Sequence, residues 1–222
     1  MPVEIAALIE RLYDQTHIVI RAFRFREGLE PKAHPADFDD SDWVVDEQFH
    51  RSRGSGNCYG WFRATVVIPE RVSGFPIAGS AATLLANIDD YGEIWVNGEM
   101  RSPVQGFDVD QRARLADAVQ PGDRFQIALL AVNGYHATPF GGVFVRYARV
   151  EFAALDALRR ATEGLIEELR LYQRFVRLAG AGAEALTARV EAAAAAIDWE
   201  AAARGEQAAF LASLAEARRA LR

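Results

Sequence analysis

The sequence predicts a fold that is mainly β with α, a jelly-roll β-sandwich followed by a small antiparallel helical bundle. Short β-branched and aromatic runs, separated by Gly, Pro and Asp turn signals about every ten residues, fill the first two thirds of the chain. After residue 152 the composition changes to Ala, Leu, Glu and Arg, which favour helices. We therefore expect a sandwich domain over residues 1–152 and a helical segment over residues 153–222.

The strand segments are recognised by their alternation and by their β-branched and aromatic content. Residues 17–25 are predicted to form one strand, and residues 61–69 alternate between two faces. Residues 124–132 are apolar on both faces, as expected of a covered central strand. Asn97-Gly98 predicts a type I′ hairpin turn, because both central residues of that turn take positive φ.

The helices are recognised by apolar residues at three- and four-residue spacing. One short amphipathic helix is predicted at residues 5–12, and three helices are predicted after residue 153. Gly180 and Gly182 are expected to end the first of these three, and Asp198 to cap the third. Short links between the helices predict antiparallel neighbours.

Composition and charge indicate which classes of binding partner this chain does not suit. The 222-residue chain carries a formal net charge of −6, which argues against nucleic acid or an anionic membrane as a partner. No apolar run is long enough to span a bilayer, and no basic region followed by an apolar run opens the chain. A single cysteine, Cys58, excludes an intrachain disulfide. We expect a soluble, cytoplasmic protein without a signal peptide.

Clustered carboxylates are the first candidates for chemistry. Two carboxylates can carry out glycoside hydrolysis, but Asp beside Gly and Ser in loops commonly caps turns instead. A structural calcium site is the alternative, and its candidate ligands are Asp39, Asp40, Asp89 and Asp90. The histidines are scattered and form no His-x-His pair, so we expect neither a catalytic zinc site nor another cofactor in this chain.

Aromatic residues in loops are the second candidates, because a flat ring packs on the C–H face of a sugar. The loop candidates for ligand binding are Trp43, Tyr59, Tyr91, Tyr135, His136 and Phe140. The pair Tyr135-His136 is preferred, since turn residues flank it on both sides. The alternative is that these rings plug the ends of the sandwich. Trp61 and Trp95 lie inside strands and are expected to pack. Arg63 is expected to pair with a carboxylate across strands, and such a pair would contribute little at the surface.

Three stretches resemble a known family. ADFDDSDW (36–43) with GWFRATVVIPE (60–70), ANIDDYGEIWVNGE (86–99), and the pair RLADAVQPGD (114–123) and FGGVFVRYARVEF (140–152) are similar to the galactose-binding-like sandwich that precedes the catalytic domain of many glycoside hydrolases. Similar stretches occur in the β-galactosidase and β-glucuronidase family. The order of a sandwich followed by a helical segment resembles the N-terminal region of family 38 α-mannosidases.

The resemblance implies a non-catalytic accessory module of an α-mannosidase-like enzyme. Its partners would be the catalytic domain of the parent hydrolase and mannose-containing glycans, and zinc would be bound only by that catalytic domain. The zinc motif of the family, of the Gly-His-x-His-Ile-Asp type, has no match here. We therefore expect no enzyme activity from this chain. The resemblance implies that the helical segment leads to a catalytic domain that is absent here, and the coding sequence beyond Arg222 would decide between this function and a free-standing binder.

Two other functions fit the same sequence. The chain could be a free-standing carbohydrate-binding protein whose helices drive self-association. It could also be a structural module without a ligand, in which the helices form a homo-oligomer. Sugar titration separates the first from the second, and light scattering tests self-association.

Overall fold

The computed structural model describes residues 4–54, 58–105, 109–134 and 142–222. The helices are α1 Ile5–Tyr13, α2 Asp156–Ala179, α3 Glu184–Ala196, α4 Trp199–Arg204 and α5 Gln207–Leu221. The strands are β1 His17–Val19, β2 Phe23–Glu27, β3 Val44–Asp46, β4 Cys58–Val67, β5 Arg71–Val72, β6 Phe75–Pro76, β7 Ala82–Asp89, β8 Tyr91–Val96, β9 Glu99–Gln105, β10 Asp110–Ala116, β11 Arg124–Asn133 and β12 Phe144–Phe152. This content confirms the predicted class, mainly β with α.

The long strands form a sandwich of two antiparallel sheets. One sheet has the order β1-β12-β7-β10, and the other has the order β3-β2-β4-β11-β8-β9. Strand β11 contacts β7, and β10 contacts β8 and β9, across the space between the sheets. Phe62, Ile94 and Leu129 line this space from the six-stranded sheet, and Leu84 and Ala113 line it from the other; all five are buried. Their burial supplies the hydrophobic stabilisation of the sandwich.

Strand β11 is the centre of the six-stranded sheet, as its apolar sequence predicts. It pairs antiparallel with β4 on one side and with β8 on the other. Both of its faces are covered, and the side chains from Ile127 to Ala131 are buried. A strand without an exposed face needs apolar residues at every position, which is the pattern read from residues 124–132.

The turn between β8 and β9 also follows the prediction. Asn97 has φ 51° and Gly98 has φ 85°, so both central residues lie in the left-handed region. Strands β8 and β9 pair antiparallel on either side of this turn. The Asn97 side chain adds a second function, since its Oδ1 accepts the backbone N–H of Gln126 at 2.8 Å.

The single strand predicted over residues 17–25 is wrong. The structure divides it into β1, in the four-stranded sheet, and β2, in the six-stranded sheet. The backbone N–H of Ile20 still donates to the carbonyl of Ala148 at 3.0 Å before the chain crosses over. Strand propensity is the same on either sheet, so the sequence gives no signal for the change of sheet. Strand β3 is a further difference, because no strand is predicted from the sequence between residues 25 and 61.

The chain forms two compact units, each built from more than one segment. One unit comprises Met1–His17, Glu70–Ala78 and Phe152–Arg222; the other comprises Ile18–Pro69 and Gly79–Glu151. One boundary between the units lies between residues 151 and 152. Residues 1–17 and 70–78 group with the segment that contains helices α2 to α5.

The helical unit has an apolar centre contributed by all of its segments. Helix α2 packs on α1, α3 and α5, and α4 contacts β6. The Phe75 and Phe210 rings lie 5.8 Å apart, and Leu214 is fully buried. The guanidinium of Arg11 lies 3.8 Å above the Trp199 ring, a cation–π arrangement.

The third predicted helix is two helices in the structure. Asp198 caps α4 as predicted, since its Oδ1 accepts the N–H of Ala201 at 2.8 Å. Gly205 then adopts φ 75°, and this left-handed residue ends α4 after six residues. Helix α5 begins at Gln207 and carries the predicted buried stripe. Within the described residues, no helix is both long and apolar enough to cross a membrane.

Candidate functional site

The outer face of the six-stranded sheet follows from its strand register. Side chains alternate along each strand, so residues opposite each other share a face. The register aligns three rows on the side facing away from the four-stranded sheet: Arg63, Ala128 and Trp95; Trp61, Leu130 and Glu93; Tyr59, Val132 and Tyr91. The outer rows combine rings, aliphatic groups, one guanidinium and one carboxylate. On the inner face, the middle row of the same strands is apolar: Phe62, Leu129 and Ile94.

Residues 29–43 cover the middle of this outer face. The Trp61 indole Nε1–H donates to the carbonyl of Leu29 at 3.0 Å. Ala33 and Trp43 join Trp61, Ala128 and Leu130 in one buried apolar cluster, with Phe38 packed against it. The loop thus supplies a small second core on the far side of the sheet. Trp61 packs as the sequence predicts.

Arg63 holds this loop on the sheet. It pairs with a carboxylate as expected, but the partner lies in the loop and not across strands, and the arginine is buried. Its side chain is only 1% exposed. The Nε–H donates to Asp40 Oδ2 at 2.8 Å, and the guanidinium also donates to the carbonyls of Ala33, Pro35 and Phe38. A buried guanidinium needs such partners to offset its desolvation. The sequence shows the arginine but not the loop that folds over it.

Tyr91, Glu93 and Trp95 form a hydrogen-bonded row along β8. The Tyr91 hydroxyl donates to Glu93 Oε1 at 3.2 Å, and the Trp95 Nε1–H donates to Glu93 Oε2 at 2.9 Å. All three side chains are half-buried. Burial, followed by the charge of Glu93, raises the pKa of the Tyr91 hydroxyl above its usual value. The carboxylate therefore orients both rings, and Tyr91 stays protonated at neutral pH.

His34 adds a ring from the covering loop. Its imidazole lies 4.2 Å from the Trp95 ring at an interplanar angle of 30°. Tyr59, at the far end of its row, is 40% exposed. We call this set of His34, Tyr59, Tyr91, Glu93 and Trp95 the β8 face. It offers ring surfaces for C–H groups and oriented polar atoms for hydroxyls, the two features that a sugar requires.

The predicted ligand-binding residues divide into three groups. Tyr59 and Tyr91 lie in the β8 face, on strands β4 and β8 and not in loops. Trp43 is 5% exposed and packs against Phe38 at a ring distance of 5.5 Å, so its ring is not presented to a ligand. Tyr135, His136 and Phe140 lie outside the described residues.

The proposed calcium ligands lie in two places. Asp39 Oδ1 accepts the N–H of Ser41 at 3.0 Å in a turn, and Asp40 binds Arg63 and lies 3.6 Å from Arg24. Asp89 and Asp90 follow one another at the end of β7, where Asp89 is buried. Among the described residues, no group of three or more His, Cys, Asp or Glu side chains is placed to hold a metal ion. The calcium site stays a prediction.

Cys58 has the properties of a structural cysteine. Its side chain is 6% exposed, and its thiol donates weakly to the Arg53 carbonyl at 3.8 Å. Burial raises the pKa of the Cys58 thiol. Because the thiolate is the nucleophile, this environment opposes reactivity at neutral pH.

Sequence reasoning missed Glu93 and His34 as site residues. Trp95 packs against the buried cluster as expected, and its place in the β8 face was not foreseen. A signal was present, since Tyr91, Glu93 and Trp95 alternate and an alternating set shares one face of a strand. Tyr91 is predicted to be a loop residue, so the alternation was not recognised. Nothing in the sequence indicates that His34 packs on Trp95.

No protein-family model matches the chain, and no curated protein matches it by sequence. Similar solved structures include a family 2 glycosyl hydrolase from Bacteroides cellulosilyticus, with 18% identity over 62% of this chain and a TM-score of 0.49. A β-glycosidase from Bacteroides vulgatus and a β-glucuronidase from Bacteroides uniformis each share 18% identity over 61% of this chain, each with a TM-score of 0.47. The chain spans 20%, 20% and 18% of these three proteins, respectively. None of the three is named as a family 38 α-mannosidase.

Proposed function

We propose that this chain is a non-catalytic accessory module of a larger glycoside hydrolase and that its β8 face binds carbohydrate. The observation that carries the binding proposal is the row Tyr91-Glu93-Trp95, in which one carboxylate orients two partly exposed rings. Oriented rings present flat surfaces at low entropic cost, and the polar edges supply hydrogen bonds.

The charge of the β8 face sets the class of sugar. Within the described part of the chain, Glu93 accepts hydrogen bonds from Tyr91 and Trp95 but makes no ion pair. A half-buried carboxylate without a cation repels an anionic ligand, and it accepts hydrogen bonds from hydroxyl groups. Neutral hexoses, including mannose, therefore fit this face better than a uronic acid.

Sugar titration of the whole chain tests the proposal. Tryptophan fluorescence or calorimetry should report weak binding of a neutral hexose or disaccharide, on the order of millimolar Kd, and weaker binding of glucuronate. Trp95→Ala should weaken binding about tenfold, the scale expected for one stacking ring. Trp199→Phe is the matched control, because Trp199 belongs to the helical unit. A flat response across the whole panel would reject binding at the β8 face.

The parent enzyme is a separate part of the proposal. The sequence resemblance supports an α-mannosidase of family 38, with a zinc-dependent catalytic domain as the partner and the cytoplasm as the location. Reading the coding sequence on both sides of this chain tests it, since a His-x-His-Ile-Asp-type motif would identify such a parent. The isolated chain should hydrolyse neither an aryl α-mannoside nor an aryl β-glucuronide. Metal-dependent turnover that copurifies with the chain would refute the non-catalytic assignment.

A further inference from the structure

The C-terminal half of α2 exposes an apolar stripe. The helix is buried on one side as far as Leu169, and none of its residues after that point is buried. Leu171 and Phe175 are each 50% exposed, and Leu178 is 83% exposed. Their spacing of four and three residues places them on one side of the helix. Large apolar side chains grouped in this way on a surface mark an interaction site.

Arginines flank this stripe without internal partners. Arg170, Arg174 and Arg177 are exposed and make no ion pair within the described residues. Elsewhere in the same unit arginines are paired, as in the bond between Arg218 and Glu168. No carboxylate occurs between residues 169 and 183. We call Arg170, Leu171, Arg174, Phe175, Arg177 and Leu178 the α2 surface; it is apolar and positively charged.

A second exposed apolar group lies on β3, the edge strand of the six-stranded sheet. Val44 is 70% exposed and Val45 is 58% exposed. A cavity of about 290 Å³ lies beside them and is lined by Phe25, Arg26, Glu27, Asp42, Trp43 and Val44. Edge strands with exposed apolar side chains are usually covered or blocked, because they pair readily with another chain.

The surroundings of these valines are negatively charged. Glu27 and Glu47 are exposed, and the Asp42 side chain is 75% exposed. Two cations lie nearby: Arg26 is 3.9 Å from Asp42, and Arg24, opposite Val45, is 3.6 Å from Asp40. Asp40, Asp42, Glu27 and Glu47 outnumber them, so the negative charge is not fully neutralised. We call Val44, Val45, Glu27, Asp42 and Glu47 the β3 edge. The β3 edge thus has an apolar centre and an acidic rim. The charge of this rim is opposite to that of the arginines of the α2 surface.

We propose that the α2 surface of one copy docks on the β3 edge of a second copy of this chain. Leu178 covers Val44, and the Phe175 ring fits the cavity beside Val44. Val45 points to the opposite face of the strand and lies at the border of the contact. The three arginines meet the carboxylates of the β3 edge. This contact is independent of the carbohydrate proposal, since it uses none of the residues of the β8 face.

The expected association is weak and depends on salt. Few side chains take part, so the contact belongs with small transient interfaces, and we expect a Kd on the order of 10–100 μM. Charge steering across the contact is screened as ionic strength rises. Sedimentation equilibrium of the whole chain from about 1 to about 500 μM covers this range.

Charge exchange identifies the two surfaces. Arg174→Glu/Arg177→Glu should weaken self-association at least about tenfold, and Asp42→Arg/Glu47→Arg should do the same. An equimolar mixture of these two double variants should associate again, because the opposite charges are restored between unlike copies. Arg160→Glu is the matched control, since Arg160 is exposed on α2 outside the stripe.

Each outcome decides the proposal. A wild-type chain that stays monomeric throughout the range overturns it and points to a different partner for the α2 surface. Equal weakening by Arg160→Glu shows only a general charge effect and also overturns it. Failure of the mixed variants to associate removes the β3 edge as the docking site. All substituted residues are exposed, so unchanged circular dichroism is expected for every variant.

Discussion

Removal of the Asp40 carboxylate tests how residues 29–43 are held on the sheet. In the Asp40→Ala variant, Arg63 keeps its carbonyl acceptors but loses its only counterion within 3 Å among the described residues. Breaking a buried pair by removing one partner costs about 3–5 kcal/mol. Because the Asp40 side chain is 21% exposed, water offsets part of this cost, and we expect about 2–3 kcal/mol.

This loss corresponds to a decrease in Tm of about 5–10 °C for a chain of this size. Urea denaturation followed by tryptophan fluorescence is the assay, because Trp43 and Trp61 lie in the cluster beneath the loop. Asp42→Ala is the matched control: its side chain is 75% exposed and 3.9 Å from Arg26, so its loss should cost under about 0.5 kcal/mol.

Equal destabilisation by Asp40→Ala and Asp42→Ala would refute the reasoning. A double-mutant cycle with Arg63→Met provides a second measure. The double variant should be less destabilised than the sum of the single variants, because no uncompensated charge remains. Additive effects would show that Asp40 and Arg63 do not act as a pair.

Two further predictions concern a close backbone contact and a titration. Gly74→Ala should destabilise the helical unit by at least about 2 kcal/mol, because its Cβ would meet the backbone carbonyl oxygen of Ala202. Gly182 has open space around it, so Gly182→Ala should be neutral or slightly stabilising. Denaturation followed by circular dichroism measures both variants. Tyr91 should ionise above the usual tyrosine pKa, so its contribution to stability is present at neutral pH and is lost as pH rises through that raised pKa. Ultraviolet absorbance of tyrosinate should detect this, and Glu93→Gln should lower the Tyr91 pKa; no change in that variant would contradict the role of Glu93.

Elements governed by local sequence were predictable. The Asn97-Gly98 turn, the Asp198 cap and the apolar strand β11 each depend on residues adjacent in the chain. The turn requires positive φ, the cap requires a hydrogen-bond acceptor at the first turn of the helix, and the strand requires apolar residues on two covered faces. Each requirement can be recognised in the sequence without knowledge of the rest of the fold.

Features formed by distant segments were not predictable. Arg63 meets Asp40 across 23 positions, and His34 meets Trp95 across a loop and several strands. The division of residues 17–25 between two sheets depends on which partners each strand finds. Local propensity contains no information about such partners, so the loop and the β8 face emerged only from the three-dimensional arrangement.

The helical unit is built from segments that are far apart in the chain, so its parts are synthesised at different times. Helix α1 packs on α2, yet the whole sandwich is encoded between them. At a synthesis rate of about 5–20 residues per second, Leu8 and Leu12 are synthesised on the order of 10–30 seconds before α2. During that interval the ribosome carries a chain whose sandwich can fold while its first helix has no partner. A chaperone that binds exposed leucines would find its target in the segment that precedes the sandwich.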